Sequence, residues 1–232
     1  MPASPVVLIL GSGPRVGAAV AAKFLNSGYK VAVASRNGTG AKTNEGYLSL
    51  KADFSNPDSV PALFDAVKAE LQTAPTVVVY NAAALTPPPA KEDLFSITAG
   101  MMTKDLNINT VSPWVAAQEA VSAWAALPKD TKKTFIYTGN ALNVTILPVP
   151  MMVDLGVGKS ASAYWLGTAD SLYSSQGIRF FYADEHYEDG KMKGQQLDGP
   201  AHADFYVQLA NHVGNVPWHA TFVKDKGYVQ FK

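Results

Sequence analysis

The chain has no cysteine among its 232 residues, which excludes disulfides, thiolate nucleophiles and cysteine-ligated metals. Neither charge is in excess: nineteen basic and nineteen acidic residues cancel, and neither sign forms a run. A nucleic-acid partner or an anionic membrane surface would need a basic patch, so neither is expected. No apolar stretch approaches the roughly 20 residues that span a bilayer. The opening MPASPVVLIL has no basic stretch before its short apolar run, which reads as a buried first strand rather than a leader. Internal repeats and low-complexity linkers are also missing. No residue pattern suggests a metal site. What remains is an ordinary globular composition, 47% hydrophobic and 16% charged. A chain of this length buries a large core, and a single domain over residues 1–232 fits better than two small ones. The expected setting is the cytoplasm.

Strand and helix signals alternate. PVVLIL ends in a glycine-rich turn, and the Ala-rich VGAAVAAKFLN from Val16 to Asn26 suits a helix packed closely on a sheet, closed by Gly28. YKVAVAS and YLSLKAD read as the second and third strands. Pro57, behind the possible cap Asn56, opens a helix through SVPALFDAVKAEL. TVVVY is a continuously apolar fourth strand, as burial on both faces requires. One long helix is expected through INTVSPWVAAQEAVSAW, then TFIYT as a fifth strand. A helix containing Lys159 runs to about Ser175; Asp154 just before it reads most simply as its N-cap and second as a candidate replacement acid. IRFFYA is a sixth strand, HADFYVQLANHV a helix, and ATFVKDKGYVQF a terminal strand or hairpin. The pattern predicts an α/β fold: a doubly wound parallel sheet of about seven strands with helices on both faces. Trp114, Trp124 and Trp165 sit among apolar neighbours and read as core or subunit-interface residues.

The turn LGSGPRVG carries the first chemistry. Gly11, Gly13 and Gly17, with Ser12, Arg15 and Val16 between them, lie where a strand meets a helix. Glycine there permits positive φ and lets backbone N–H groups approach a pyrophosphate at the helix N-terminus. A dinucleotide-binding turn is the expectation.

At this point the sequence resembles the short-chain dehydrogenase/reductase family over most of its length, which implies a Rossmann-type domain. That family's turn is Thr-Gly-x-x-x-Gly-x-Gly. Its first and last glycines fall on Gly11 and Gly17, the threonine on Leu10 and the middle glycine on Arg15. KADF resembles the Asp-hydrophobic pair that contacts adenine, which implies Asp53 and Phe54. YNAA resembles the family's Asn-Asn-Ala-Gly, with Asn81 at the second asparagine and Ala82 after it. In NINTVSPWVAAQ, Asn109 matches the helix asparagine that holds a proton-relay water, with Gln118 at the common glutamine.

The resemblance also implies an active-site lysine. In the family it precedes a Gly-Ile-Arg strand start by about eighteen residues, and here Lys159 precedes Gly177 by 177 − 159 = 18. Its role would be to hold the nicotinamide ribose and tune a tyrosine four residues earlier, on the same helical face. That position is Leu155, and no tyrosine occurs between Tyr137 and Tyr164. The family's proton donor is therefore expected to be missing. The family serine aligns with Asn140, which can donate a hydrogen bond but is a poor proton donor. The Pro-Gly usual after the sixth strand is replaced by Glu185 and His186. His186 could serve a proton role near neutral pH, or be a solvent-exposed loop histidine. The literal Tyr-x-x-x-Lys from Tyr187 to Lys191 contains Asp-Gly and reads as a turn.

The second strand ends Ser35, Arg36, Asn37, with no acid to bind a ribose 2′-hydroxyl. Serine and arginine suit a 2′-phosphate, and Arg15 could add a second cation, so NADP(H) is expected over NAD(H). LPVPMMV reads as an apolar wall of the pocket, and a substrate loop is expected at about 184–203. Two functions stay open. One is NADP(H)-dependent reduction of a carbonyl or imine/iminium in a small hydrophobic metabolite of specialised metabolism. The other is a redox-neutral isomerase or cyclase on the same scaffold. A binding protein without catalysis is a third reading. The resemblance implies a homodimer or homotetramer through the two long helices.

Overall fold

A computed structural model describes residues 4–231. Its strands are β1 (Val6–Leu10), β2 (Lys30–Ser35), β3 (Leu48–Lys51), β4 (Val77–Tyr80), β5 (Lys133–Thr138), β6 (Ile178–His186), β7 (His219–Val223) and β8 (Gly227–Tyr228). They form one sheet in the order β3-β2-β1-β4-β5-β6-β7-β8. Every pairing is parallel except β7 with β8. β1, β4 and β5 are buried at every position, as strands covered on both faces must be. The chain order reverses between β1 and β4, and ligands of such sheets bind outside the strand ends at that point.

Six α-helices cover the sheet: α1 (Val16–Asn26), α2 (Pro61–Leu71), α3 (Ala99–Leu106), α4 (Ser112–Trp124), α5 (Val153–Tyr173) and α6 (Gly199–Ala210). The core is in two layers. On one face Tyr80, Trp124, Tyr137, Phe180 and Tyr182 pack with residues of α2, α4 and α5. On the other, Phe24, Phe181, Phe205 and Phe222 pack with residues of α1 and α6. Each buried Phe or Leu stabilises the fold by roughly 1.5–3 kcal/mol.

The expected doubly wound parallel sheet is present with eight strands, the C-terminal segment turning at Asp225 (φ 62°) into a short antiparallel hairpin. Four expectations are corrected. Asn56 makes no side-chain cap; Pro57–Ser59 is a 3-10 turn, and α2 starts at Pro61. The single long helix is α3, a π-turn over Asn107–Val111, then α4. Pro113 explains the break: with no N–H, it cannot donate to the carbonyl of Asn109, one helical turn back. That carbonyl instead accepts from the hydroxyls of Tyr137 and Ser162, both at 2.8 Å. Asp154 is not an N-cap; it lies inside the first turn of α5, fully buried, capping nothing. Finally, the segment 184–203 is a loop only over 187–198: β6 runs through His186, and α6 begins at Gly199.

Candidate active site

The ends of β1 and β4 are tied together at the reversal of the sheet. Asn81 donates from Nδ2 to the Gly11 carbonyl at 2.8 Å, and the Asn81 and Ala82 N–H groups both reach the Leu10 carbonyl. Gly11 has φ +98°, and a methyl there would lie 2.3 Å from the Ala82 nitrogen, so only glycine fits. Gly11 and Ser12 both donate to Ala34, and Gly17 packs on the Ser12 backbone. Gly13 differs: nothing stands within 4 Å of where its Cβ would be. This open face lies just before the N-terminus of α1, whose first N–H groups lack helical partners.

A cleft of about 440 Å³ runs from this turn to α5, lined among others by Gly13, Arg15, Val16, Asn81, Asn140 and Lys159. Arg15 donates to the carbonyl of Gln195, which ties the turn to the 187–198 connection. Ser35, Arg36 and Asn37 stand at the end of β2, outside the cleft lining, with Arg36 exposed. Asp53 accepts from the Ser55 N–H and hydroxyl at 3.0 and 2.8 Å, which hold its carboxyl below the usual value. Phe54 points into the core, edge-on to Tyr80 at 5.5 Å.

The small residues of α5 let it approach the π-turn. A methyl on Gly158 would come within 2.5 Å of the Asn109 Cβ. The Asn109 side chain is spent on the loop after β4, accepting from the Ala84 N–H and donating to the Ala84 carbonyl, both at 2.9 Å. Lys159, only 3% exposed, donates to the Thr138 carbonyl at 2.7 Å and stands 4.4 Å from the centre of the Tyr137 ring. Burial pulls its ammonium down to about 7, against the opposing pull of the Asp184 charge. Leu155, one turn earlier, lines the cleft with Leu142, Leu147 and Met152. Asn140 lines it too, while its Oδ1 caps the 3-10 turn Ala141–Asn143 by accepting from the Leu142 N–H at 3.1 Å.

His186 is neither solvent-exposed nor in the cleft wall. It closes β6, buried, with Nε2 2.6 Å from Asp184 Oδ2 and Nδ1 2.8 Å from the Gly190 carbonyl. Burial works against its positive charge, but Asp184 and the Gly190 carbonyl outweigh it, so the imidazole is pushed above its ordinary value. Asp184 itself lines the cleft. Glu185 and Lys193 line it as well, 3.2 Å apart, and the Glu185 carboxylate also accepts from the Asp198 N–H at 2.8 Å. Sequence reasoning missed Asp184, Thr138 and Lys193. It also missed a buried pair of carboxylates, Asp105 and Asp154, beneath the start of α5. The i, i+2 spacing of Asp184 and His186 was the available signal, had β6 been extended past Ala183.

Comparisons with known proteins show the family and the fold. A family model described as enoyl-(acyl carrier protein) reductase matches residues 14–146. The short chain dehydrogenase/reductase dmxR12 of Cryptosporiopsis sp. (strain 8999) is 41% identical over 238 residues, covering 98% of this chain and 95% of that protein. Among solved structures, a metagenomic short-chain oxidoreductase in complex with NADP has a TM-score of 0.77 at 16% identity, covering 95% of this chain and 97% of that one. A Brucella ovis oxidoreductase of the same family, in complex with a partially ordered NAD, has a TM-score of 0.73 at 14% identity, covering 96% and 100%. With a relative this similar along nearly its whole length, and a glycine turn facing a buried lysine across the sheet reversal, the chain belongs to the short-chain dehydrogenase/reductase family.

Proposed function

We propose that the protein is an NADP(H)-dependent oxidoreductase of non-standard mechanism that reduces a carbonyl or imine/iminium group of a small hydrophobic metabolite. The carrying observation is the cleft itself: Lys159 faces an apolar wall of Leu142, Leu147, Met152 and Leu155, with no tyrosine lining it. The residues present fit a dinucleotide. The open face of Gly13, with Arg15 and Val16, suits the pyrophosphate, and Lys159 suits the nicotinamide ribose. Ser35 and Arg36 would take a 2′-phosphate; Asn37 and Asp53 would flank the adenosine, Phe54 only through its backbone because its ring is in the core, with Asn81 and Ala82 beside the cofactor. Related structures hold NADP or NAD, so the preference rests on the end of β2. Bound NADPH would supply the hydride.

The remaining work falls to the chain. Asn140 would orient the substrate's oxygen or nitrogen, and the apolar wall would keep water from the reacting carbon. Asn109 positions rather than relays, because its side chain and its carbonyl are both already engaged. The 187–198 connection, tied to the turn through Arg15, serves as the substrate loop. The setting is cytoplasmic and the assembly a homodimer or homotetramer.

Dissociation constants for NADPH and NADH test this reading. NADPH should bind at least tenfold more tightly, and Arg36→Asp should erase that preference, since a hydrogen-bonded charge contributes roughly 1.5–3 kcal/mol. Tighter binding of NADH would refute the assignment. NADPH oxidation with a panel of ketones and cyclic imines tests the chemistry. Binding without consumption would favour the redox-neutral isomerase or cyclase, for which a leucine at position 155 is equally suitable.

A further inference from the structure

We infer that Asp184 and His186 hold one transferable proton at the wall of the cleft, and that Asp184 passes it to the substrate's reacting atom. The inference rests on the reductase reading and names the acid it leaves open.

Hydrogen-bond chemistry fixes the proton count. The Gly190 carbonyl can only accept, so Nδ1 of His186, 2.8 Å away, carries a hydrogen. Nε2 and Asp184 Oδ2 lie 2.6 Å apart. A neutral imidazole and a carboxylate would oppose two lone pairs at that distance, so a proton lies between them. The pair is either imidazolium–carboxylate or imidazole–carboxylic acid, and in both forms it holds one proton to give. His186 is buried, with the Phe231 ring 4.9 Å from its own. Only Asp184 of the two lines the cleft.

The other groups around the pair are accounted for. Tyr137 donates to the Asn109 carbonyl, Tyr182 to the Asn140 carbonyl and Tyr206 to the Thr138 hydroxyl, and burial raises all three phenols. Lys193 is paired with Glu185, and Lys159 donates to the Thr138 carbonyl. His202 of α6 and His219 of β7 are both lowered by burial, and neither lines the cleft. Two acids line the cleft, Asp184 and Glu185; Glu185 is held as an acceptor by Lys193 and the Asp198 N–H, which leaves Asp184 as the one that shares a hydrogen with an imidazole at 2.6 Å.

The step balances. A bound reduced nicotinamide dinucleotide would supply the hydride; as the carbon of a C=O or C=N group takes it, the π pair would move to oxygen or nitrogen. That atom bonds the proton of the Asp184–His186 pair. The electrons of the broken bond stay on the pair, which becomes neutral imidazole and carboxylate, and water returns a proton before the next cycle. A neutral carbonyl or imine needs this acid, whereas an iminium does not, so the inference selects the neutral substrates.

Proton NMR of ¹⁵N-histidine-labelled protein reads the pair without any cofactor. A far-downfield resonance coupled to His186 Nε2 is expected, lost in both Asp184→Asn and His186→Gln. In steady-state kinetics Asp184→Asn should keep its NADPH affinity and lose turnover by about 10²-fold or more. His186→Gln should move the loss of turnover with rising pH to lower pH, because the imidazole whose proton-holding is raised above its ordinary value is then gone. Wild-type protein without the resonance at neutral pH would overturn the inference. So would Asp184→Asn turning over within threefold of wild type. If Asp184→Asn does not fold, the resonance and the His186→Gln profile decide. If the wild type binds no NADPH, the reductase reading fails and the resonance alone judges the pair.

Discussion

Leu155 occupies the place beside Lys159 where a phenol would be tuned, and it faces the cleft with three other apolar side chains. Whether that leucine marks a loss or an accommodation can be tested by restoring the phenol. Leu155→Tyr should leave turnover of NADPH unchanged or lower it. On the inference above, Asp184 already supplies the acid, and the new hydroxyl narrows an apolar pocket. A gain approaching the roughly 10²-fold of a positioned acid would show proton supply to be limiting in the native enzyme. Lys159 was legible in the sequence because its spacing to Gly177 is a count along the chain. The engagement of its ammonium with the Thr138 carbonyl was not, because that contact joins α5 to β5.

The start of α5 carries an unusual load. Asp154 is fully buried with both carboxylate oxygens unpartnered, and Asp105 of α3 lies against it with one oxygen likewise free. The other Asp105 oxygen accepts from the Thr86 hydroxyl at 2.9 Å. Burial, then the charge of Asp105, push the Asp154 carboxyl above its ordinary 3.8. Between its ordinary value and the raised one, the folded chain keeps a proton that the unfolded chain releases. The stability linked to this group is complete below the ordinary aspartate value and falls as pH rises through the raised one. Asp154→Asn removes the charge and offers Asp105 a donor. Its melting temperature should match wild type at about pH 4 and exceed it by a few degrees at about pH 8. Scanning calorimetry across that range would check it, and an advantage that shrinks with rising pH would contradict the assignment. The sequence offered Asp154 as a cap because caps are read from residue type next to a helix start. Here the helix begins one residue earlier, at Val153, and tertiary packing buries the side chain.

Across the whole molecule, α4 and α5 turn apolar side chains outward: Trp114 is 48% exposed, Tyr164 81% and Leu172 64%. No described helix is long and apolar enough to cross a membrane, so these residues do not mark a span. A second copy covering this face is expected, and light scattering at micromolar concentration should give at least a dimer mass; a monomer would refute it. The doubly wound alternation, the glycine turn and the place of Lys159 on its helix were determined by the sequence alone. Each is a local signal: a period of 2 or 3.6, a turn that needs positive φ, a spacing counted in residues. The proton-holding wall was decided by tertiary structure. β6 continues three residues past Ala183, and strand alternation puts Asp184 and His186 on the Tyr182 side with Lys159, while Glu185 joins His202 of α6. Where a strand stops depends on what it pairs with, and here the pairing of Asp184, Glu185 and His186 with Thr221, Phe222 and Val223 of β7 holds it straight.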